Sequence, residues 1–316
     1  MGLRSIYNRI ALLSPRIEVL LRKIYWKNSQ KLKSAAKNSH QESYSTKQHV
    51  DFQHVIDWLK NNGVSDGCLL VVHSSYEALE ATGLEPEAIV EELLRLVGKT
   101  GTLAMPAIRK FKGEPSYAER TGNEKMDIVC KYNVRKTKVS SGVLPYYMVL
   151  REDSEVSRFP LNPMVAIGPL AKDMMEHNID EEWSKPHGPN SAWKFCYDHN
   201  AIVVGLGASL EHYNTMTHVA EEAFGDWHWP DDFWYCKRTF DVVDGDFENR
   251  INILERKPYI GKLHFAEKNL YRDLIKDGIV KEDIIDGTIP VFIESAQGYI
   301  NYLRRKNKNG YPYFGL

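Results

Sequence analysis

The stretch Cys68-Leu-Leu-Val-Val-His-Ser-Ser75 decides the fold. Its first five residues are apolar without interruption, the mark of a short strand buried on both faces. The run stops at His73-Ser74-Ser75. A helical stretch follows from Pro86 to Val97, closed by Gly98, and then a second strand, Thr102-Leu-Ala-Met105, stopped by Pro106. Strand, helix, strand in that order is a βαβ unit and points to an α/β sheet. Upstream, Val55, Ile56, Trp58 and Leu59 predict a helix ended by Asn62-Gly63. Downstream, Ala201-Ile-Val-Val-Gly205 is another buried strand, running into Leu206-Gly207. The tail from Asn269 to Arg305 alternates helical stretches with one β-like run, Thr288 to Ile293, and no internal repeat is present. The expected class is α/β, a mixed central sheet flanked by helices, with an N-terminal helical arm.

The 316 residues suit about two domains, or one large α/β domain preceded by an arm. With 43% hydrophobic and 26% charged residues, disordered, collagen-like and disulfide-scaffold classes are excluded. The formal net charge of −1 argues against a general nucleic-acid binder, which needs a cationic face for phosphates. No apolar run approaches the roughly 20 residues of a membrane span. Cys68, Cys130, Cys196 and Cys236 form no C-x-x-C pair, so a zinc ribbon or thioredoxin-like motif is excluded. The start lacks the uninterrupted apolar run of a secretory signal, and the expectation is a cytoplasmic protein with reduced thiols.

Residues 1–50 differ from the rest. Up to Asn38 they hold nine basic residues and one acid, Glu18. Ile6, Ile10, Leu13, Ile17, Leu20 and Ile24 recur at spacings of three and four, one face of a helix. Ser14-Pro15 reads as an N-cap followed by proline at the first helical position, so a break there and a second helix over about 15–36 are expected. Such a basic amphipathic helix can lie on an anionic membrane surface. Packing on the chain's own domain, or against a second subunit in a homo-oligomer, is the favoured expectation. The polar residues 38–50 read as a linker, which divides the chain into 1–50 and 51–316.

In open α/β sheets ligands bind beyond the carboxyl ends of strands. Two such ends carry reactive residues. The first is His73-Ser74-Ser75. The second follows Gly207 and leads to Thr217-His218-Val-Ala-Glu221-Glu222. If that segment is helical, His218 shares a face with Glu221 and Glu222. A carboxylate beside an imidazole fixes its tautomer and raises its basicity, which makes a general base. The bland alternative for His218 is a capping or surface residue. His212, His218, Glu221, Asp226 and His228 are potential metal ligands, but H-E-x-x-H is absent and no zinc spacing fits, so no metal is expected. A P-loop, a complete dinucleotide fingerprint and a G-x-S-x-G elbow around Ser74 are all missing.

His73-Ser74-Ser75, Gly101-Thr-Leu-Ala-Met-Pro106, Ser141-Gly-Val-Leu-Pro145, His187-Gly188-Pro189-Asn190-Ser191 and Thr217-His218-Val-Ala-Glu221-Glu222 occur in that order. In this order and spacing the chain resembles the aminoglycoside 3-N-acetyltransferase family, over about Asp51 to Arg305. The resemblance implies a CoA-dependent N-acyltransferase domain over 51–316, which moves an acyl group, acetyl by default, from acyl-CoA to the amine of an amino sugar without a metal. It implies His218 as general base and Glu221 as its support, with Glu222 the less favoured partner. His73, Ser74 and Ser75 would lie by the CoA arm or thioester, with the Ser75 backbone N–H or a hydroxyl stabilising the thioester oxygen. Ser191 would line the same cleft.

The sequence departs from the family at Ser157-Arg158-Phe159-Pro160-Leu161-Asn162-Pro163, where a histidine and a final serine of the family pattern are lost. This segment, with Arg158, is expected on the acceptor or cofactor side. A polycationic aminoglycoside calls for an acidic rim, for which Asp180, Glu181, Glu182, Glu222, Asp226, Asp231 and Asp232 are candidates. A nucleotide-linked amino sugar for surface polysaccharide would prefer cations, for which Arg109, Lys110, Lys112, Lys131, Arg135, Lys136 and Lys138 are candidates. The neutral chain with its basic arm favours the biosynthetic acceptor, with antibiotic resistance as the alternative. A non-catalytic interaction protein on the same fold is the alternative from another class, against which the retained His218 and Glu221 argue.

Overall fold

The computed structural model describes residues 8–32, 49–114, 129–210, 215–227, 234–257, 265–308 and 313. His212, His228, Asp231, Asp232 and most of the 38–50 linker lie outside these residues.

The run that opened the sequence is β1, Leu69–Ser74, the middle strand of a seven-stranded sheet. It pairs in parallel with β2, Thr102–Pro106, on one side and with β6, Ile202–Leu206, on the other. The remaining strands, β4 (Glu155–Val156), β5 (Met164–Ile167), β9 (Val280–Ile285) and β10 (Ile289–Ser295), make antiparallel wings, in the order β4-β5-β2-β1-β6-β10-β9. The sheet is therefore mixed, as expected. Leu70 and Val72 enter one core, with Leu103 and Val204; Leu69 and Val71 enter another, with Ala104, Val203 and Phe292. Both faces of β1 are covered, which is why its sequence shows no polar alternation.

Helices α2 (Phe52–Asn61) and α3 (Pro86–Val97) cover the first face through Val55, Leu59, Ile89 and Leu93. The Asp51 side chain caps α2 by accepting from the Gln53 N–H, and Pro86 opens α3 at its first turn. The second face carries α4 (Ala192–Asp198), α5 (Met216–Glu222), α6 (Glu267–Lys276) and α7 (Ala296–Lys308). The arm supplies α1, Pro15–Leu32, with the Ser14 hydroxyl accepting from the Ile17 N–H at its start.

A second sheet of three strands lies on the first core. It consists of β3 (Val129–Asn133) and a hairpin of β7 (Tyr235–Asp244) and β8 (Phe247–Arg256). Phe240, Val242, Ile251 and Ile253 face inward. Gly245 turns the hairpin at φ +61°. None of the four cysteines is in a disulfide.

Gly205 is fixed by close approach. On β6 it stands opposite Phe292 of β10, and a Cβ there would come within 2.0 Å of the phenyl ring. Gly205→Val is expected to lower stability by about 1–3 kcal/mol in urea unfolding, because the ring must leave its buried position. The same change made on a Phe292→Ala background is expected to cost clearly less; equal costs would show that the ring is not the constraint.

Candidate active site

The parallel pairing of β1 with β6 brings the two reactive strand ends together, with His73 opposite Gly205 and Ser74 opposite Leu206. The Ser75 backbone N–H donates to the Leu206 carbonyl at 2.9 Å. That bond continues the sheet by one step and occupies the N–H expected to stabilise an oxyanion, so the Ser75 amide is corrected from catalytic donor to sheet bond. Ser74 and Ser75 themselves are half-buried. Gly207, at φ +68°, lets β6 turn away here, since a Cβ would meet the Ser75 carbonyl oxygen at 2.6 Å.

Beyond that turn the chain enters α5, and the expected helical face appears. His218 Nδ1 lies 2.9 Å from Glu221 Oε2, three residues on. Glu221 is buried, whereas the His218 side chain is 37% exposed. One residue further, Glu222 accepts from the His187 backbone N–H at 3.0 Å and from its Nδ1 at 3.1 Å, and from the Tyr235 hydroxyl at 3.1 Å. The two adjacent carboxylates thus serve two different imidazoles.

Arg256, the last residue of β8, ties them together. Its guanidinium ion-pairs with both Glu221 and Glu222, at 2.9 Å to the latter. Burial raises both carboxyl pKa values, but Arg256 with the neighbouring imidazole outweighs it, so both are held below the usual carboxylate range. Arg256 Nη1 also stands 2.7 Å from His218 Nδ1. The guanidinium can only donate and the carboxylate can only accept, so Nδ1 serves one of them at a time. With its proton on Nδ1, His218 donates to Glu221 and leaves the Nε2 lone pair for a substrate proton. With the proton on Nε2, it accepts from Arg256 and offers no base. Imidazolium formation favours the carboxylate, because Arg256 then meets a like charge.

A row of rings joins the strand end to this pair. His73 stacks on Trp193 at 6.0 Å between centroids, Trp193 lies 5.9 Å from His187, and His187 lies 5.2 Å from His218. Burial pushes His73 down to about 4 and also lowers His187, against the pull of Glu222. The indole N–H of Trp193 donates to the Asn162 carbonyl at 2.8 Å.

Other residues singled out in the sequence have partners elsewhere. The Ser191 hydroxyl accepts from the Lys194 N–H and donates to the Gly188 carbonyl, so it caps α4, although the residue still lines a cavity of about 180 Å³ beside Glu222. Arg158 binds Asp244 at 2.9 Å and lies over the Phe247 ring, at the hairpin turn. Asp226 binds Arg304 at 2.9 Å, pinning the end of the α5 segment to α7. Arg109 donates to the Val134 and Thr137 carbonyls, and Arg135 to those of Val149 and Ser154. Among the described residues, no group of histidine, cysteine and carboxylate side chains is arranged to hold a metal ion.

A cavity of about 250 Å³ opens in front of His218, walled by His187, Glu222, Arg256, Asn162, Glu255 and Glu114. Arg256 and His187 were missed as site residues. Arg256 carries no local signal, being 38 residues from His218; His187 stands in a quoted motif, from which only Ser191 was taken.

Comparison with known proteins identifies the family and the fold. The aminoglycoside 3-N-acetyltransferase family matches residues 71–276, about two thirds of the chain, and the chain belongs to that family. It is 26% identical over 179 residues to aminoglycoside N(3)-acetyltransferase IX of Micromonospora chalcea, a match covering 53% of this chain and 60% of that protein. It shares its fold with the aminoglycoside acetyltransferase AAC(3)-Xa, at a TM-score of 0.65 and 18% identity over 81% of this chain and 92% of that one. It also shares it with AAC-IIIb, solved as a binary complex with CoASH, at 0.62 and 15% over 83% and 97%.

Two tests follow from this geometry. Arg256→Met leaves two buried carboxylates without their cation and is expected to cost about 3–5 kcal/mol in thermal or urea unfolding. Adding Glu221→Gln and Glu222→Gln is expected to recover part of that loss; no recovery would mean that the guanidinium acts through packing. His73 is neutral when folded and ionises near 6.5 when unfolded. The unfolded chain therefore binds the extra proton, and stability falls by about 1.4 kcal/mol per pH unit between about 6.5 and 4. His73→Phe is expected to flatten that part of the stability–pH curve; an unchanged slope would reject the assignment.

Proposed function

We propose that the chain is a CoA-dependent N-acyltransferase that acylates an amine of an aminoglycoside, with residues 51–316 as the catalytic unit. The observation that carries the reading is His218, held by the buried Glu221 and facing a cavity at the carboxyl end of the parallel strands. An amino sugar at neutral pH is largely ammonium and cannot attack a thioester. The amine therefore gives its first proton to water and reacts as the free base: His218 Nε2 takes a second N–H proton as the nitrogen attacks the acyl carbonyl, while Glu221 holds Nδ1–H and stabilises the imidazolium. The tetrahedral intermediate then expels the CoA thiolate, which leaves with the proton held by His218. Acyl-CoA supplies the activated acyl group. The half-buried hydroxyls of Ser74 and Ser75 at the adjoining strand end are the groups assigned to its thioester.

Two observations favour an aminoglycoside over a nucleotide-linked amino sugar of surface-polysaccharide synthesis. Arg109 and Arg135, which would have held a diphosphate, are spent on backbone carbonyls. With the groups that pair to the cavity wall included, four carboxylates (Glu114, Glu221, Glu222 and Glu255) meet three guanidiniums (Arg109, Arg238 and Arg256), an acidic excess of one that suits a polycation. The names of the relatives point the same way.

The test is thiol release from acetyl-CoA with aminoglycosides and, separately, with nucleotide-linked amino sugars. Release with aminoglycosides is expected, and His218→Ala is expected to lower kcat by about 10²–10⁴-fold. Release with the nucleotide sugars alone would restore the biosynthetic acceptor. Release undiminished in His218→Ala would remove His218 from the chemistry.

A further inference from the structure

The arm is absorbed by neither the catalytic reading nor the family match, which begins at residue 71. Its attachment is specific. The N-cap residue of α6 is Ala266, whose methyl group cannot accept a hydrogen bond. Glu18 of α1 supplies the cap from a distance: its carboxylate accepts from the Lys268 and Asn269 backbone N–H groups, each at 3.0 Å, and from Asn269 Nδ2 at 2.8 Å. The carboxylate is fully buried and sits at the positive end of the α6 dipole. Arg22 braces it and reaches Glu267 at 2.9 Å.

This anchor sets the rotation of α1, and the rotation turns the apolar stripe outward. Leu20 and Ile24 are 57% and 48% exposed, and Leu13, before the break, is 71% exposed. Arg16, also exposed, and Lys23, half-buried, lie beside this stripe. The one acid among the first 38 residues is buried in the cap, so what faces outward is apolar and cationic.

We propose that this face is a docking surface for an anionic lipid bilayer. The aliphatic side chains would enter the headgroup boundary while the flanking cations meet lipid phosphates. Symmetric pairing with a second copy would oppose two arms that each carry, up to Asn38, nine basic residues and one acid. The proposal is independent of the catalytic reading.

The test is co-sedimentation of the full chain with vesicles of phosphatidylcholine, alone or with roughly one-third phosphatidylglycerol. Pelleting is expected with the anionic vesicles alone and is lost at high salt. Leu20→Glu with Ile24→Glu is expected to abolish it without a change in melting temperature, since both positions are exposed. Arg16→Gln and Lys23→Gln are each expected to weaken binding about fivefold. The proposal is overturned if anionic vesicles pellet nothing or if the Glu variant pellets as well as the parent. It is equally overturned by a lipid-independent dimer that the Glu variant dissociates, which would make a second copy the occupant.

Discussion

One guanidinium in a buried setting joins the two halves of this structure. Arg256 ends a strand of the small sheet, while Glu221 and Glu222 lie on the helix that follows β6 of the large one. Neither carboxylate could be buried ionised alone, because desolvation would push its proton back on. Nor could the guanidinium be buried without them. The small sheet must therefore dock with its hairpin in register for α5 to keep its charges. A shift of β8 by one residue would turn Arg256 to the opposite face and strand both acids. Fold and site thus share a single constraint.

Sequence reading worked where the physical cause was local. The uninterrupted apolar runs of β1 and β6 reported burial on both faces, and Pro86 and Gly98 marked the ends of α3. Helical spacing put Glu221 or Glu222 beside His218, and the contact is made by Glu221. The hairpin strands and β9 escaped because their exposed positions carry charge; Lys281, Glu282 and Asp283 leave β9 without an apolar alternation. The roles of Arg158 and Asp226 escaped because their partners lie 86 and 78 residues away. Ser191 and the Ser75 amide show a further limit. A polar group at a strand or helix end is wanted first by the backbone, and only what remains is available for chemistry.

The arm shows the same competition with the opposite result. Its apolar periodicity predicted a buried stripe, yet the stripe faces out. A buried carboxylate with backbone donors decides the rotation instead, because leaving Glu18 buried without them would cost more than exposing two or three aliphatic side chains. Packing on the chain's own domain is therefore real, but it runs through Glu18 and its neighbour Val19 rather than through the predicted stripe.

The two histidine–glutamate pairs are alike in chemistry and unlike in access, and access divides their work. His187 is enclosed between Trp193, Asn162 and Glu222, and its side chain is 3% exposed. Burial keeps it neutral against the pull of Glu222, so it behaves as a fixed dipole. His218 keeps one edge toward the cavity. Only a ring with an open edge can exchange a proton with a bound molecule, so two adjacent carboxylates on one helical turn yield one accessible imidazole and one structural prop. Arg256, touching both carboxylates and His218 Nδ1, makes the position of a single proton on the accessible ring depend on the integrity of both sheets.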